Sequence, residues 1–156
     1  MSICNFSLDL LVKIENILKN VKNNIVFICM GNYKVNFDSF APLVAERLKE
    51  YNVNAYVYGG KNYPLYGKTL EELKLFLEKV HKYDTKVFID VVKTQKSELN
   101  QTICVSNKKF QVANSSVVID YDYSICFYIK MDELENTYFH QQKSAEKVST
   151  FIANYC

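Results

Sequence analysis

A chain of 156 residues that is 49% hydrophobic and 14% aromatic has the material for a sizeable packed core, which excludes an intrinsically disordered chain. Its 19 basic and 17 acidic side chains leave a net charge of +2, and Arg47 is the sole arginine. That balance argues against nucleic-acid and phosphate readers, which cluster arginine for its planar fork.

Residues 7 to 21 place Leu10, Leu11, Ile14, Ile17, Leu18 and Val21 at helical spacing behind a Ser7 cap, and Asn23-Asn24 ends that helix. Ile25 to Met30 is apolar throughout, the pattern of a central strand covered on both faces. Gly31 then opens a turn that runs through Asn32 and Asp38-Ser39 to Pro42, the first turn of a second helix ending near Tyr51. Strand, glycine turn and helix form the unit of layered α/β folds, and ligands of open α/β sheets bind beyond the carboxyl ends of the strands. Asp38 occupies that position.

Val53 to Tyr58 reads as a second strand closed by Gly59-Gly60, followed by a loop to Lys68. Thr69-Leu70-Glu71-Glu72 has the form of a capping box, with Leu70, Leu73, Phe76, Leu77 and Val80 as the buried stripe and His81 in the last turn as a dipole-favoured structural residue. Residues 87 to 92 form a third strand interrupted by Asp90, and 101–106 and 117–129 are further strand candidates. In the latter, Asp120, Asp122 and Ser124 alternate with apolar residues, which predicts a wet face. Asp132 to Asn136 reads as a short helix, and Ser144 to Tyr155 as the last one, with Val148, Phe151, Ile152 and Tyr155 inward. No repeat or linker interrupts residues 1–156, so a single α/β domain is expected.

The five cysteines are odd in number and contain no Cys-x-x-Cys pair, as expected of reduced thiols. A catalytic thiol at Cys29 or Cys104 would need His81 or His140 as its base. The glycine turn lacks the Gly-Lys-Ser ending of a phosphate loop. No apolar run reaches the roughly 18 residues of a membrane span and no signal peptide is seen, so the cytoplasm is the expected compartment. Asp38 and Asp90 each follow an apolar strand. If they converge, they can share a proton or hold a metal ion, and either arrangement activates water. The alternative is that Asp38 caps the helix at Pro42 or satisfies turn amides with Ser39, and that Asp90 serves a turn.

Gly31-Asn32 and Asp38-Ser39-Phe40-Ala41-Pro42-Leu43-Val44 resemble the glycine turn and Gly-Asp-Ser-Leu-Gly-Pro-Leu-Val signature of the YyaC-like sporulation proteins. Val57-Tyr58-Gly59, Pro64-Leu65-Tyr66 and Leu70-Glu71-Glu72 resemble the next block of that family, with gapless spacing over residues 25 to 90. The family is similar in fold to hydrogenase-maturation peptidases and to the spore germination protease. The resemblance therefore implies a three-layer α/β/α sandwich around a mixed, mostly parallel sheet of the phosphorylase/hydrolase type. It also implies a sporulation-associated, peptidase-like protein of the mother cell or forespore. Asp38 and Asp90 would be catalytic carboxylates or ligands of one divalent metal ion, and Gly31, Asn32, Ser39, Gly59 and Tyr66 would position them or bind. The partner would be a protein or peptide, with no nucleic acid and no membrane. Phe37 and Ala41 stand where the family has glycines, no counterpart of the peptidases' ligand histidine is seen, and Ser106 to Ser115 replaces a Gly/Pro-rich loop. These departures fit a second reading, a non-catalytic relative that binds a partner protein through the same cleft.

Overall fold

The computed structural model describes residues 8–107 and 119–156. In chain order its elements are α1 (Leu8–Lys19), β1 (Ile25–Cys29), α2 (Phe40–Glu50), β2 (Tyr56–Tyr58), α3 (Gly67–Val80), β3 (Thr85–Thr94), β4 (Ile103–Ser106), β5 (Tyr123–Lys130) and α4 (Tyr138–Ala153). Short 3-10 turns lie at Asn36–Asp38, Ser97–Leu99 and Met131–Asn136. The strands form one sheet in the order β2-β1-β3-β5-β4, parallel except for β4 against β5.

Alternation along the strands divides the core in two. Ile25, Phe27 and Cys29 of β1, Val87 and Ile89 of β3, and Ile125, Phe127 and Ile129 of β5 pack with α1, α2 and α4. Val26, Ile28 and Met30, with Phe88, pack with Leu70, Leu73 and Leu77 of α3 on the opposite face. Helices cover both faces of a mixed sheet, which is the α/β/α sandwich. β1 is buried at every position, as its unbroken apolar run requires.

The chain leaves β1 through α2 toward β2 on one side and returns through α3 to β3 on the other. Right-handed crossovers in opposite directions place α2 and α3 on opposite faces and open a crevice between the carboxyl ends of β1 and β3.

Several elements depart from the sequence pattern. The proposed Ser7 cap lies outside the described residues. α3 begins at Gly67, so Thr69 occupies its third position: the Thr69 hydroxyl accepts the Tyr66 N–H (3.1 Å) instead of capping the helix itself. Phe76 and Val80 are exposed, because the sheet meets only the Leu70-Leu73-Leu77 side of α3. Asp90 does not interrupt β3, which continues to Thr94 against β5. β5 starts at Tyr123, and Ser124 is buried instead of wet, its hydroxyl donating to the Ser106 carbonyl across the ladder. α4 begins at Tyr138, six residues ahead of the Ser144 start, and ends at Ala153, so Tyr155 lies beyond it and is exposed instead of facing inward. Among the described residues no helix is long and apolar enough to cross a membrane.

Candidate active site

β1 ends where the Met30 N–H donates to the Ile89 carbonyl (2.8 Å), and the chain then turns at Gly31 with φ 126°. A Cβ on Gly31 would lie 2.6 Å from the Asp38 carbonyl oxygen and 2.8 Å from Asp38 Oδ1, so only glycine lets the turn and the Asp38 loop share this space. The Gly31 N–H donates to the Leu65 carbonyl (3.3 Å), which ties the turn to the loop before α3. Gly59, with φ 107°, lies against the Cys29 carbonyl, where any side chain would collide.

Asp38 closes the 3-10 turn, and its Oδ2 accepts the Asn32 N–H (3.0 Å). It therefore bridges back across the loop and does not cap α2. The capping task falls to Gln141 of α4, which is fully buried. Its Oε1 accepts the Ser39 N–H (3.0 Å) and the Phe40 N–H (2.9 Å), two of the donors that α2 leaves unpaired at its start. Its Nε2 donates to the Asn36 carbonyl (3.0 Å) and to Thr137 Oγ1 (2.8 Å). The buried Ser39 hydroxyl lies within reach of the Asn36 carbonyl and Gln141 Oε1. One amide thus locks the residues on both sides of Asp38.

Asp90 reaches the same crevice from β3. β1 pairs with β3 only as far as Cys29↔Ile89, so Asp90 is the first β3 residue beyond that pairing, while Cys126 still faces it on β5. Asp90 Oδ1 accepts the Val91 N–H (2.7 Å). Among the described residues neither carboxylate is held by an ion pair, and each accepts a single backbone amide.

Burial shifts both titrations upward. Burial pushes Asp38 up to about 6, against the opposing pull of the Asn32 amide and the Lys93 charge. Burial pushes Asp90 up to about 8; the Val91 amide opposes it and the charge of Asp38 adds to it. The carboxylate of the turn after β1 and that of β3 therefore interact, and near neutral pH the pair holds about one proton.

The other sequence candidates fall into place around this pair. Asn32 contributes its backbone amide to Asp38, and its Oδ1 accepts the Lys34 N–H (3.0 Å). Tyr66 is exposed at the N-cap position of α3. Cys29 is enclosed in β1, and burial pushes its thiol up to about 12, the opposite of an activated nucleophile. His81 binds Asp84 through Nδ1 (2.7 Å) and Tyr58 through Nε2 (2.6 Å), so it is a satisfied structural residue. Asp122 is not an idle surface carboxylate: its Oδ2 accepts the Lys86 N–H (2.8 Å). Sequence reasoning missed Gln141. Carrying the α4 stripe of Ala145, Val148 and Ile152 back by one turn would have placed it on the buried face.

Among the described residues no three His, Cys, Asp or Glu side chains converge on a point where a metal ion could sit. Two carboxylates alone do not make the three- or four-ligand set of a zinc-type centre, so no chemical step is assigned to a metal. Two described cavities lie elsewhere. One of about 430 Å3 is bounded by Leu11 of α1 and Lys147 and Phe151 of α4, and one of about 280 Å3 lies beside Leu77 and Ile119.

The crevice at the switch point of this mostly parallel α/β sheet holds two interacting carboxylates. By its match over residues 4–119, the chain belongs to the family described as "Protein of unknown function (DUF1256)", which is the YyaC family. No curated protein matches the chain. Among solved structures it is similar to the [NiFe] hydrogenase maturation protease HycI from Thermococcus kodakarensis KOD1, with a TM-score of 0.53 and 16% sequence identity. That similarity covers 89% of this chain and 97% of the other, and at such low identity it establishes a shared fold.

Proposed function

We propose that the protein is an aspartate-dependent peptidase that hydrolyses a peptide bond in a protein substrate. The observation that carries this reading is the pairing of Asp38 and Asp90 in the β1/β3 crevice, with neither carboxylate neutralised by an ion pair. Asp38, the more readily ionised of the two, takes a proton from water as the water attacks the scissile carbonyl. Asp90, still protonated, donates to the carbonyl oxygen; the tetrahedral adduct then collapses as Asp38 gives the proton it took to the leaving nitrogen and Asp90 recovers its own from the former carbonyl oxygen. Peptide bond and water become a carboxylate and an amine, and the pair ends with its one proton. Gln141 and the Asn32 amide keep Asp38 in place through the cycle.

The test is hydrolysis of a proteome-derived peptide pool in 18O-labelled water. The expected result is 18O in newly formed C-termini with wild-type protein and none with Asp90→Asn. Unlabelled pools with both proteins would sink the reading. Activity should follow a bell, rising as Asp38 ionises through about 6 and falling as Asp90 loses its proton through about 8.

The sporulation role rests on family resemblance, and cytoplasmic action in mother cell or forespore rests on the same ground. Deleting the gene in its spore-forming host should lower the yield of heat-resistant spores without slowing growth, and an unchanged yield removes that part. A second reading, a non-catalytic relative that binds a partner protein in the same cleft, draws support from Phe37. Its ring replaces a family glycine beside Asp38 and carries Lys93 at 4.8 Å. Capture of a partner that is released intact, with no 18O incorporated, would favour it.

A further inference from the structure

Two lysines flank the Asp38 loop, and the charge of one of them, Lys93, acts on Asp38 itself. The Lys61 ammonium sits 4.4 Å from the centre of the Tyr33 ring, and the Lys93 ammonium sits 4.8 Å from that of Phe37. Tyr33 and Phe37 belong to the same connection between β1 and α2, one near each end of the segment that leads to Asp38. Each cation is thus fastened by a cation–π contact to the loop that holds a carboxylate of the pair. Both lysines are exposed, and neither forms an ion pair with a carboxylate of the described residues.

The acids nearby have other neighbours: the Glu46 carboxylate lies over Gly60 beside the Lys49 ammonium. Asp132 pairs with Lys130 (3.5 Å), and Glu133 accepts a hydrogen bond from Asn100 (2.5 Å). The Tyr33 hydroxyl meets that of Tyr138 (3.3 Å), which steadies the ring under Lys61 from α4. The Asp38–Asp90 pair keeps about one proton, so it offsets the two ammonium charges only in part.

We infer that Lys61 and Lys93 form a carboxylate-reading rim, and that the chain segment bound in the crevice is an acidic peptide with Asp or Glu side chains on either side of the position facing Asp38. The inference rests on the peptidase reading for its location. It concerns binding, however, and can fail or succeed separately. A polyanion such as single-stranded nucleic acid would be held by a longer basic stripe with arginine forks, and this rim has two lysines and no arginine.

Two fluorescent pools of random decapeptides decide the matter. One carries Asp or Glu at two fixed positions flanking the centre, the other Asn or Gln at the same positions. Binding to the full chain is read by fluorescence anisotropy at low salt, where no cleavage is needed for a signal. The acidic pool should bind about fivefold to tenfold more tightly than the neutral one, as expected for two exposed ion pairs. That preference should vanish in the double variant Lys61→Met/Lys93→Met. It should persist in Lys143→Met/Lys147→Met, which removes the same charge from α4. Equal binding of the two pools overturns the inference, as does equal loss in the two double variants, or tighter binding of an oligothymidylate probe than of the acidic pool. Equal 18O-labelled cleavage of both pools also overturns it while leaving the peptidase intact. Preferred binding of the acidic pool with no cleavage sustains the rim and removes the peptidase.

Discussion

Two clusters of buried or half-buried titratable groups among the described residues make an instructive contrast, one internally satisfied and the other not. At the end of α3, His81 is enclosed, yet both ring nitrogens are engaged, by Asp84 and by the Tyr58 hydroxyl. Burial acts on Asp84 too, but the hydrogen bonds from His81 and Asn24 outweigh it and leave that carboxyl below the usual range. At the carboxyl ends of β1 and β3, Asp38 and Asp90 receive one amide each, and burial wins. A network that satisfies its members rigidifies the fold, whereas carboxylates left under-compensated keep a proton available for chemistry.

The largest effect should come from the residue that props up the second cluster without belonging to it. Gln141→Leu leaves the Ser39 and Phe40 amides and the Asn36 carbonyl without their partner in a buried setting. A loss of about 3–5 kcal/mol in denaturant unfolding is expected. Hydrolysis should fall further than the folded fraction does, because Asp38 loses its fixed loop. Full activity in the folded fraction would break the claim that Gln141 positions the carboxylate.

His81→Phe tests the structural side of the comparison. The ring contacts with Tyr56 and Phe76 can persist, while Asp84 and Tyr58 lose their shared partner. The expected cost is about 2–3 kcal/mol of stability with no change in peptide hydrolysis per folded molecule. A selective loss of hydrolysis would mean that the two clusters are coupled and the contrast is wrong.

Asp90→Asn should have the opposite sign. The unfolded carboxyl titrates near about 3.9 and the folded one at about 8. Between those values the folded chain holds more protons than the unfolded chain, so stability declines as pH rises and levels off above about 8. Asparagine has no such proton to lose. The variant should therefore match wild type near pH 4 and exceed it by about 2 kcal/mol near pH 8.5, well short of the full linkage value because Asp90 is only partly shielded from water. Urea titrations at the two pH values check this, and a destabilised variant at both would reduce Asp90 to a structural group.

Much of this contrast was legible in the sequence, for reasons that differ from residue to residue. β1 announced itself by an unbroken apolar run, and Gly31 by the need for a left-handed turn before a carboxylate. That Asp38 and Asp90 each follow an apolar strand was legible, but whether they converge was left open, because strand order is not written in strand–helix alternation. Gln141 stayed hidden because a buried amide has no period of its own and depends on a helix start that polar residues obscured. The wet face predicted for Ser124 failed because alternation records that two faces differ, not what covers them: the Ser124 hydroxyl is buried against β4. Nor could spacing show that Asp38 would turn back to the Asn32 amide while a helix some hundred residues away took over its capping role.

The smallest effect is the most discriminating, because it asks which force sets the Asp90 titration. Burial is the leading cause of its rise to about 8, and the charge of Asp38 is the lesser one. Carbon-13 NMR of the side-chain carboxyls in Asp38→Asn removes that charge while preserving shape. Asp90 should then titrate somewhat below about 8 yet remain well above an ordinary aspartate, since its burial is unchanged. An unshifted Asp90 would mean that the two carboxylates do not sense each other, and the shared-proton mechanism would lose its basis. A collapse to the ordinary range would mean that repulsion outweighs burial. In that case the pair is held apart from water far less than the crevice geometry requires.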